Sequence, residues 1–292
     1  MKSNIAVRFT PCESVIGAEV EGVSLRELPN EATIEAVEDG LEQYGVLIFR
    51  DQDITPKEQV AWSRALGPLA LTQRVSARLP HLPEIFIVGN TIDPPVTFSP
   101  KTEQDNLEWH ADHMHHEVTA RASMLVAKVT PCRGGDTLFA CMYAAYDHLS
   151  PDQQAEGDGL RVIHSVSGLR AYLRGQGHEA TANQPYEKPD IAVERPLVQR
   201  HLRSGRKGLY FGSHVTVSVV GWSDDKARRF IRDLTTHACQ PAFQYRHQWR
   251  VGDAVLWDNR RVLHAGTVYD MERETRLMHR TTLEETSRQT VA

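Results

Sequence analysis

The chain has 292 residues, of which 40% are apolar and 24% charged, enough to bury a sizeable core in one or two domains. Its net charge of -5, with 33 basic against 38 acidic residues and no long basic stripe, argues against a nucleic-acid partner. Neither a secretory signal nor a membrane span is expected, because Met1-Lys2-Ser3-Asn4 leads into no apolar stretch and no run of about 18 apolar residues occurs.

No repeat, low-complexity tract or long Pro/Gly/Ser linker divides the chain, so a single domain over 1–292 is expected. Val15 to Val20 reads as a strand. Asn30 then opens a helix with Ile34, Val37 and Leu41 at helical spacing, ended by Gly45. Val46-Leu47-Ile48-Phe49 is short and wholly apolar, as a strand covered on both faces would be. Thr55-Pro56-Lys57-Glu58 makes a capping box with proline at the first helical position, and that helix should stop at Gly67. Cys12, Cys132, Cys141 and Cys239 are scattered without Cys-x-x-Cys spacing, which suits reduced thiols in a cytoplasm. Ser150-Pro151-Asp152-Gln153 repeats the capping pattern. The stretch 168–196, rich in Gly, Pro, Asn and Gln, shows no clean period and reads as an irregular lid or binding loop. Ser223 caps a helical insert at 223–238 with Ala227, Phe230, Ile231 and Leu234 on one face. Phe243, Tyr245, His247 and Trp249 then alternate with polar residues, and Val251-Gly252-Asp253 turns the chain into the strand Ala254-Val255-Leu256-Trp257. A mainly β fold follows, a sandwich or jelly roll with helices packed outside.

Histidine is the compositional outlier: 14 copies, with His110, His113, His115 and His116 close together. In a strand, His110 and Asp112 would project to one face roughly 7 Å apart and could share a metal. A His-x-Asp pair alone is more often a surface polar pair, so a third ligand is required, and His264 is the candidate. Two histidines and one carboxylate make the facial triad of non-haem iron(II) oxygenases, whereas a structural zinc site is closed by four ligands and a hydrolytic one leaves a single open position. The three ligands by themselves leave the metal open. Arg276 and Arg280, four apart in a C-terminal strand, would both point inward and need anions, one of which a dicarboxylate cosubstrate can supply. His113, His115 and His116 would crowd such a metal and are not expected to bind it. His279, out of phase with the arginines, should face outward or lie behind the site. Trp109 and Trp257 read as core aromatics, Gly134-Gly135 as a turn, and Arg170 and Arg174 as solvated loop cations.

The order Trp109-His110-x-Asp112, Gly134-Gly135-Asp136-Thr137, Trp257-Asp258-Asn259-Arg260-x-x-x-His264 and Arg276-x-Met278-x-Arg280 closely resembles the taurine dioxygenase and 2,4-dichlorophenoxyacetate dioxygenase family. The similarity runs from Ile16-Gly17-Ala18-Glu19 through Ala144-Ala145-Tyr146-Asp147 to Thr281-Thr282-Leu283. It implies a double-stranded β-helix, a cupin-like jelly roll, and dependence on Fe(II), 2-oxoglutarate and O2. The resemblance further implies that His110, Asp112 and His264 bind iron, that Thr137 and Arg276 hold the distal carboxylate of 2-oxoglutarate, and that Arg280 binds the acidic group of the primary substrate. Asn106 and His113 match substrate-pocket positions of the taurine branch. Thr72 and Val75, however, stand where that branch has a histidine and a tyrosine, and Ala111 and His113 stand where the herbicide-degrading branch has serines. The expected activity is hydroxylation of a small acidic molecule, an aryloxyalkanoate, sulfonate or similar, with conversion of 2-oxoglutarate to succinate and CO2. Alternatives are a hydroxylase or desaturase of a carboxylic-acid metabolite, a zinc hydrolase, and a silent metal-binding jelly roll. A homo-oligomer is compatible with the sequence.

Overall fold

A computed structural model describes residues 6–96 and 107–286; Asn106 lies outside the described residues. Seven of the strands come before residue 142: β1 (Arg8–Pro11), β2 (Ala18–Glu21), β3 (Val46–Phe49), β4 (Arg78–Leu79), β5 (Leu82–Gly89), β6 (Ala120–Val129) and β7 (Thr137–Cys141). After them come β8 (Arg161–His164), β9 (Val193–Pro196), β10 (Val198–Arg200), β11 (Lys207–Leu209) and β12 (Thr216–Val219). The C-terminal third adds β13 (Gln244–His247), β14 (Ala254–Asp258), β15 (Val262–Gly266) and β16 (Leu277–Glu284). The helices are α1 (Glu31–Tyr44), α2 (Pro56–Leu66), α3 (Met142–Asp147), α4 (Pro151–Gly159), α5 (Val166–Gly175), α6 (Glu179–Ala182) and α7 (Asp224–Ala238).

Side chains alternate across a strand, and here both faces of the main sheet are apolar. That sheet runs β1-β2-β3-β14-β6-β16-β5-β4 and faces a smaller one, β13-β7-β15. Ile48, Leu125, Val255 and Met278 pack toward Phe139 of β7 between the sheets. The alternate residues Leu47, Met124, Leu256 and Leu283 pack on Val37 and Leu41 of α1 and Trp62 of α2. Each such buried side chain contributes roughly 1.5–3 kcal/mol, and the two-sided demand explains why β3 is unbroken apolar sequence. The result is the expected jelly roll with helices outside.

Local signals were mostly decisive. Both capping boxes form, at Thr55 with Glu58 and at Ser150 with Gln153, and Gly45 ends α1 in the left-handed region at φ 73°. Three expectations need correction. The strand expected from Val15 is β2 and begins at Ala18, after an earlier strand β1; Cys12 N–H donates to the Gly17 carbonyl at 3.0 Å, which closes a bend and leaves Val15 55% exposed. The stretch 168–196 is partly helical: Val166, Leu169 and Leu173 form a buried stripe along α5, and Ser165 caps it by accepting from Ser167 N–H. Gly168 is required there, since a Cβ would lie 2.0 Å from the His214 carbonyl oxygen. Lastly, Ser223 precedes α7 but its side chain makes no cap hydrogen bond, and Asp224 and Asp225 supply the first-turn charge instead. No helix among the described residues is long and apolar enough to cross a membrane.

Buried His201, after β10, joins two elements by ion pairs: Nδ1 lies 2.8 Å from Glu42 of α1 and Nε2 3.1 Å from Asp258 of β14. Burial pushes its imidazolium down, but the two carboxylates win and its pKa is raised above 6.5. A raised folded-state pKa means that this stabilisation is complete below pH 6.5 and is lost as pH rises through the raised value. Arg260 still covers Asp258 when His201 is removed, so His201→Gln should cost about 2 kcal/mol at about pH 6 and clearly less at about pH 9. Urea unfolding at both pH values checks this; equal costs would refute the ion-pair account.

Candidate active site

His110 and His264 are neighbours because their backbones form an isolated antiparallel bridge, with N–H to O distances of 3.1 and 2.8 Å. His264 is delivered by β15, which pairs with β7. Trp109 to Asp112 is therefore not a strand. Only His110 is bridged, and a turn with His113 at φ 54° brings Asp112 round to the two imidazoles. Ligand atoms of His110, Asp112 and His264 all lie within 4.8 Å of one another. Both histidine Nε2 atoms are 3.9 Å from Asp112 Oδ1.

Neighbouring groups fix these orientations. His110 Nδ1 lies 3.0 Å from the Glu108 carbonyl oxygen and 2.5 Å from its buried carboxylate, which turns Nε2 toward the cluster. Burial depresses the His110 pKa, but Glu108 overrides this and lifts it to about 9. His264 goes the other way: burial, reinforced by His110, holds it well below the ordinary value. For Asp112, burial acts upward but the Arg280 guanidinium and then His264 and His110 hold the carboxyl well below the usual range. Asp112 N–H donates to Asn259 Oδ1 at 3.0 Å, and its Oδ2 accepts from Ser123 at 2.6 Å. Asn259 in turn donates to Ser123 Oγ at 2.9 Å and accepts from Trp257 at 3.0 Å. Glu108, Ser123 and Asn259 escaped sequence reasoning in these roles because nothing in their spacing marks them as partners of Asp112 or His110.

Thr137 and Arg276 line one cavity with His110, His264, Trp257 and Tyr269. Arg276 is buried, and its Nε donates to the Gly135 carbonyl at 3.2 Å. The Gly134-Gly135 turn makes this contact: both residues have positive φ, and a Cβ on Gly134 would lie 2.0 Å from the Val268 carbonyl oxygen. Thr137 Oγ1 accepts from Trp249 Nε1 at 3.0 Å, which leaves the hydroxyl proton available to a ligand. Arg280 shares the inward face of β16 with Met278, and its guanidinium is paired with Asp112 and stacked 4.7 Å over Phe86. It lines both this cavity and a second one, which holds His113, Thr72 and Arg74 as well. Val75, by contrast, is 52% exposed and points elsewhere. His115 and His116 stay outside the ligand cluster, Arg174 bonds Asn183, and Arg170 lies 4.9 Å over the Tyr186 ring. His279 is on the opposite face from Arg280 and is buried there.

Two imidazoles and a carboxylate clustered where two cavities meet, one of them also lined by the buried Arg276, match a facial iron(II) site with room for a chelating acid. The family model described as "Taurine catabolism dioxygenase TauD, TfdA family" matches residues 8–282. The chain belongs to this family. An alpha-ketoglutarate-dependent 2,4-dichlorophenoxyacetate dioxygenase from Cupriavidus pinatubonensis is 36% identical over 290 residues, covering 96% of this chain and 99% of the relative. An (S)-phenoxypropionate/alpha-ketoglutarate-dioxygenase from Sphingobium herbicidovorans is 34% identical, with 94% of each chain covered. The crystal structure of a taurine dioxygenase from Burkholderia xenovorans superposes with a TM-score of 0.79 at 26% identity, covering 96% of this chain and 91% of that one. This TauD/TfdA-family member is thus a dioxygenase that uses Fe(II), O2 and 2-oxoglutarate, the compound also called alpha-ketoglutarate. The hydrolase and the silent binding protein are thereby set aside.

Proposed function

We propose that His110, Asp112 and His264 hold the iron(II), that Thr137 and Arg276 receive the distal carboxylate of 2-oxoglutarate, and that Arg280 and His113 receive the acid group of the primary substrate. The chain from 1 to 292 acts as one catalytic domain, and its substrate is an aryloxyalkanoic acid or a closely similar small organic acid. One observation carries the reading: Arg280 stands on the wall common to two cavities, one containing Thr137 and Arg276 and the other containing His113.

When bound, the iron supplies activation of O2. The protein's own groups do the positioning. Arg276 offers a planar fork that matches a carboxylate, and the free Thr137 proton adds a third donor. With its distal end so fixed, the other end of 2-oxoglutarate would reach toward His110 and His264, which line the same cavity. Arg280 pins the second acid, and a fixed acid group determines which carbon is presented for reaction. In the overall balance one oxygen atom enters the substrate C–H bond and the other appears in succinate as CO2 leaves. Hydroxylation beside an ether oxygen yields a hemiacetal that collapses to an alcohol and a carbonyl compound. Two aryloxyalkanoate-acting relatives at 36% and 34% identity support that substrate class, and exposed Val75 argues against the taurine branch.

Succinate release, measured with iron(II), ascorbate and 2-oxoglutarate across aryloxyalkanoates, sulfonates, alkyl sulfates and simple carboxylates, tests the proposal. Aryloxyalkanoates should be the best stimulators, and the methyl ester of the best acid should be about tenfold poorer or worse, since it forfeits a charge-assisted pair. Equal turnover of acid and ester would end the anion-anchor reading. A sulfonate optimum would move the enzyme to the other branch.

A further inference from the structure

Arg74 lies between α2 and β4, in the loop that also carries Thr72 and Val75. Neither neighbour has comparable chemistry. Arg74 is 6% exposed, yet its Nε and Nη1 atoms are buried without a hydrogen-bond partner, and no salt bridge to it is found among the described residues. Arg74 lines the second cavity together with Arg280, Asp112 and His113. The Nε of Arg280 is likewise buried without a partner, while its Nη1 is engaged by Asp112. Burial acts to disfavour the Arg74 charge and a hydrogen bond with the Tyr186 phenol offsets part of that, which leaves Nε and Nη1 as the unused donors.

A buried guanidinium with unused N–H groups is costly, because its lost hydration is not replaced. Such a cost inside a cavity is explained when an anion from outside completes the pairing. Arg280 spends Nη1 on Asp112 and so offers a ligand only its Nε–Nη2 edge, which leaves the outer lone pairs of a bound acid group for a second donor. We propose that Arg74 is a second anion receptor for the primary substrate, so that the acid group is held between Arg74 and the free edge of Arg280. This rests on the proposed function and adds the specificity-determining residue to it. The ligand class is a small organic acid whose carboxylate, sulfonate or sulfate oxygens can accept from two guanidinium groups at once. Tyr186, on the segment between α6 and β9, borders the same cavity and places its hydroxyl beside the bound acid.

The test is equilibrium binding to the anaerobic enzyme loaded with iron(II) and 2-oxoglutarate. The probes are 2,4-dichlorophenoxyacetate, its methyl ester, ethyl sulfate and ethanesulfonate, each titrated by calorimetry. At least one acid should bind the wild type more tightly than the ester does. Arg74→Gln should weaken that acid by about tenfold or more and leave ester binding little changed, and Arg74→Lys should recover part of the loss. Thermal midpoints without probe separate function from bracing: removing an uncompensated buried charge should leave the midpoint of Arg74→Gln unchanged or higher. Unchanged acid affinity in Arg74→Gln would overturn the inference. So would a lowered midpoint with acid affinity retained, which would make Arg74 a structural brace, and so would a wild type that binds none of the acids. Succinate formation by the wild type without any probe reports separately on the 2-oxoglutarate reaction, so failure of the receptor is distinguishable from failure of the catalytic assignment.

Discussion

Replacing His264 with alanine is expected to reduce substrate-dependent succinate formation to background. His264 is one of three donors, and with it gone His110 and Asp112 form a two-donor site too weak to hold iron(II) in place. Loss of metal affinity should be visible directly, by equilibrium dialysis with Mn(II) or iron(II), whether or not a substrate is known. The weak visible band expected when iron(II) and 2-oxoglutarate are combined anaerobically should vanish too. Stability should fall modestly, by about 1–2 kcal/mol, because the imidazole packs 4.8 Å from Trp257 and 6.2 Å from Phe139. Asp112 behaves differently. Asp112→Ala would strand the buried Arg280 guanidinium and should cost about 3–5 kcal/mol as well as activity, so Asp112→Asn is the cleaner probe of metal binding. Full activity in His264→Ala would remove His264 from the ligand set.

Arg276→Lys is expected to weaken 2-oxoglutarate binding by about tenfold or more. Each charge-assisted hydrogen bond contributes about 1.5–3 kcal/mol, and an ammonium cannot reproduce the two parallel bonds of the guanidinium fork. The substitution also removes the Nε donor to the Gly135 carbonyl, so the Gly134-Gly135 turn loses its tie to the residue that leads into β16. The Michaelis constant for 2-oxoglutarate and a direct titration should shift together, with metal affinity retained. An unchanged constant would assign the distal carboxylate to another residue. Thr137→Val keeps the shape but not the hydroxyl, leaves Trp249 Nε1 without its acceptor, and should have the smaller effect on 2-oxoglutarate.

Much of this protein is legible in one dimension because the signals are local. The capping boxes at Thr55 and Ser150 and the left-handed Gly45 satisfy helix-end groups within a few residues, so their outcome needs no tertiary partner. β3 is equally plain, since four consecutive apolar residues demand cover on both faces. Arg276 and Arg280 were placed on one face by strand period alone, and the structure sets both on the cavity with His110 and His264. Helix α5 was missed for a local reason as well: its Gly and Arg content hides a stripe of only Val166, Leu169 and Leu173.

Contacts between segments far apart in the chain could not be read in this way. His110 and His264 meet through a single backbone bridge, and Asp112 reaches them by a turn instead of the pleat its spacing suggested. Asn259 and Ser123 orient Asp112 from separate strands or turns, 147 and 11 residues away, and no periodicity links such positions. The same holds for charge. The amino-acid order identifies Arg74 and Arg280 as cations, but only packing decides that Arg280 is paired with Asp112 while Arg74 is buried with donors unused. Periodicity determines which way a side chain faces along its own element, and so it determined the strands, the helix ends and the inward arginines. Desolvation and pairing depend on what the rest of the chain brings to that face, and so the tertiary structure alone decided which of the buried groups are satisfied and which are left for a ligand.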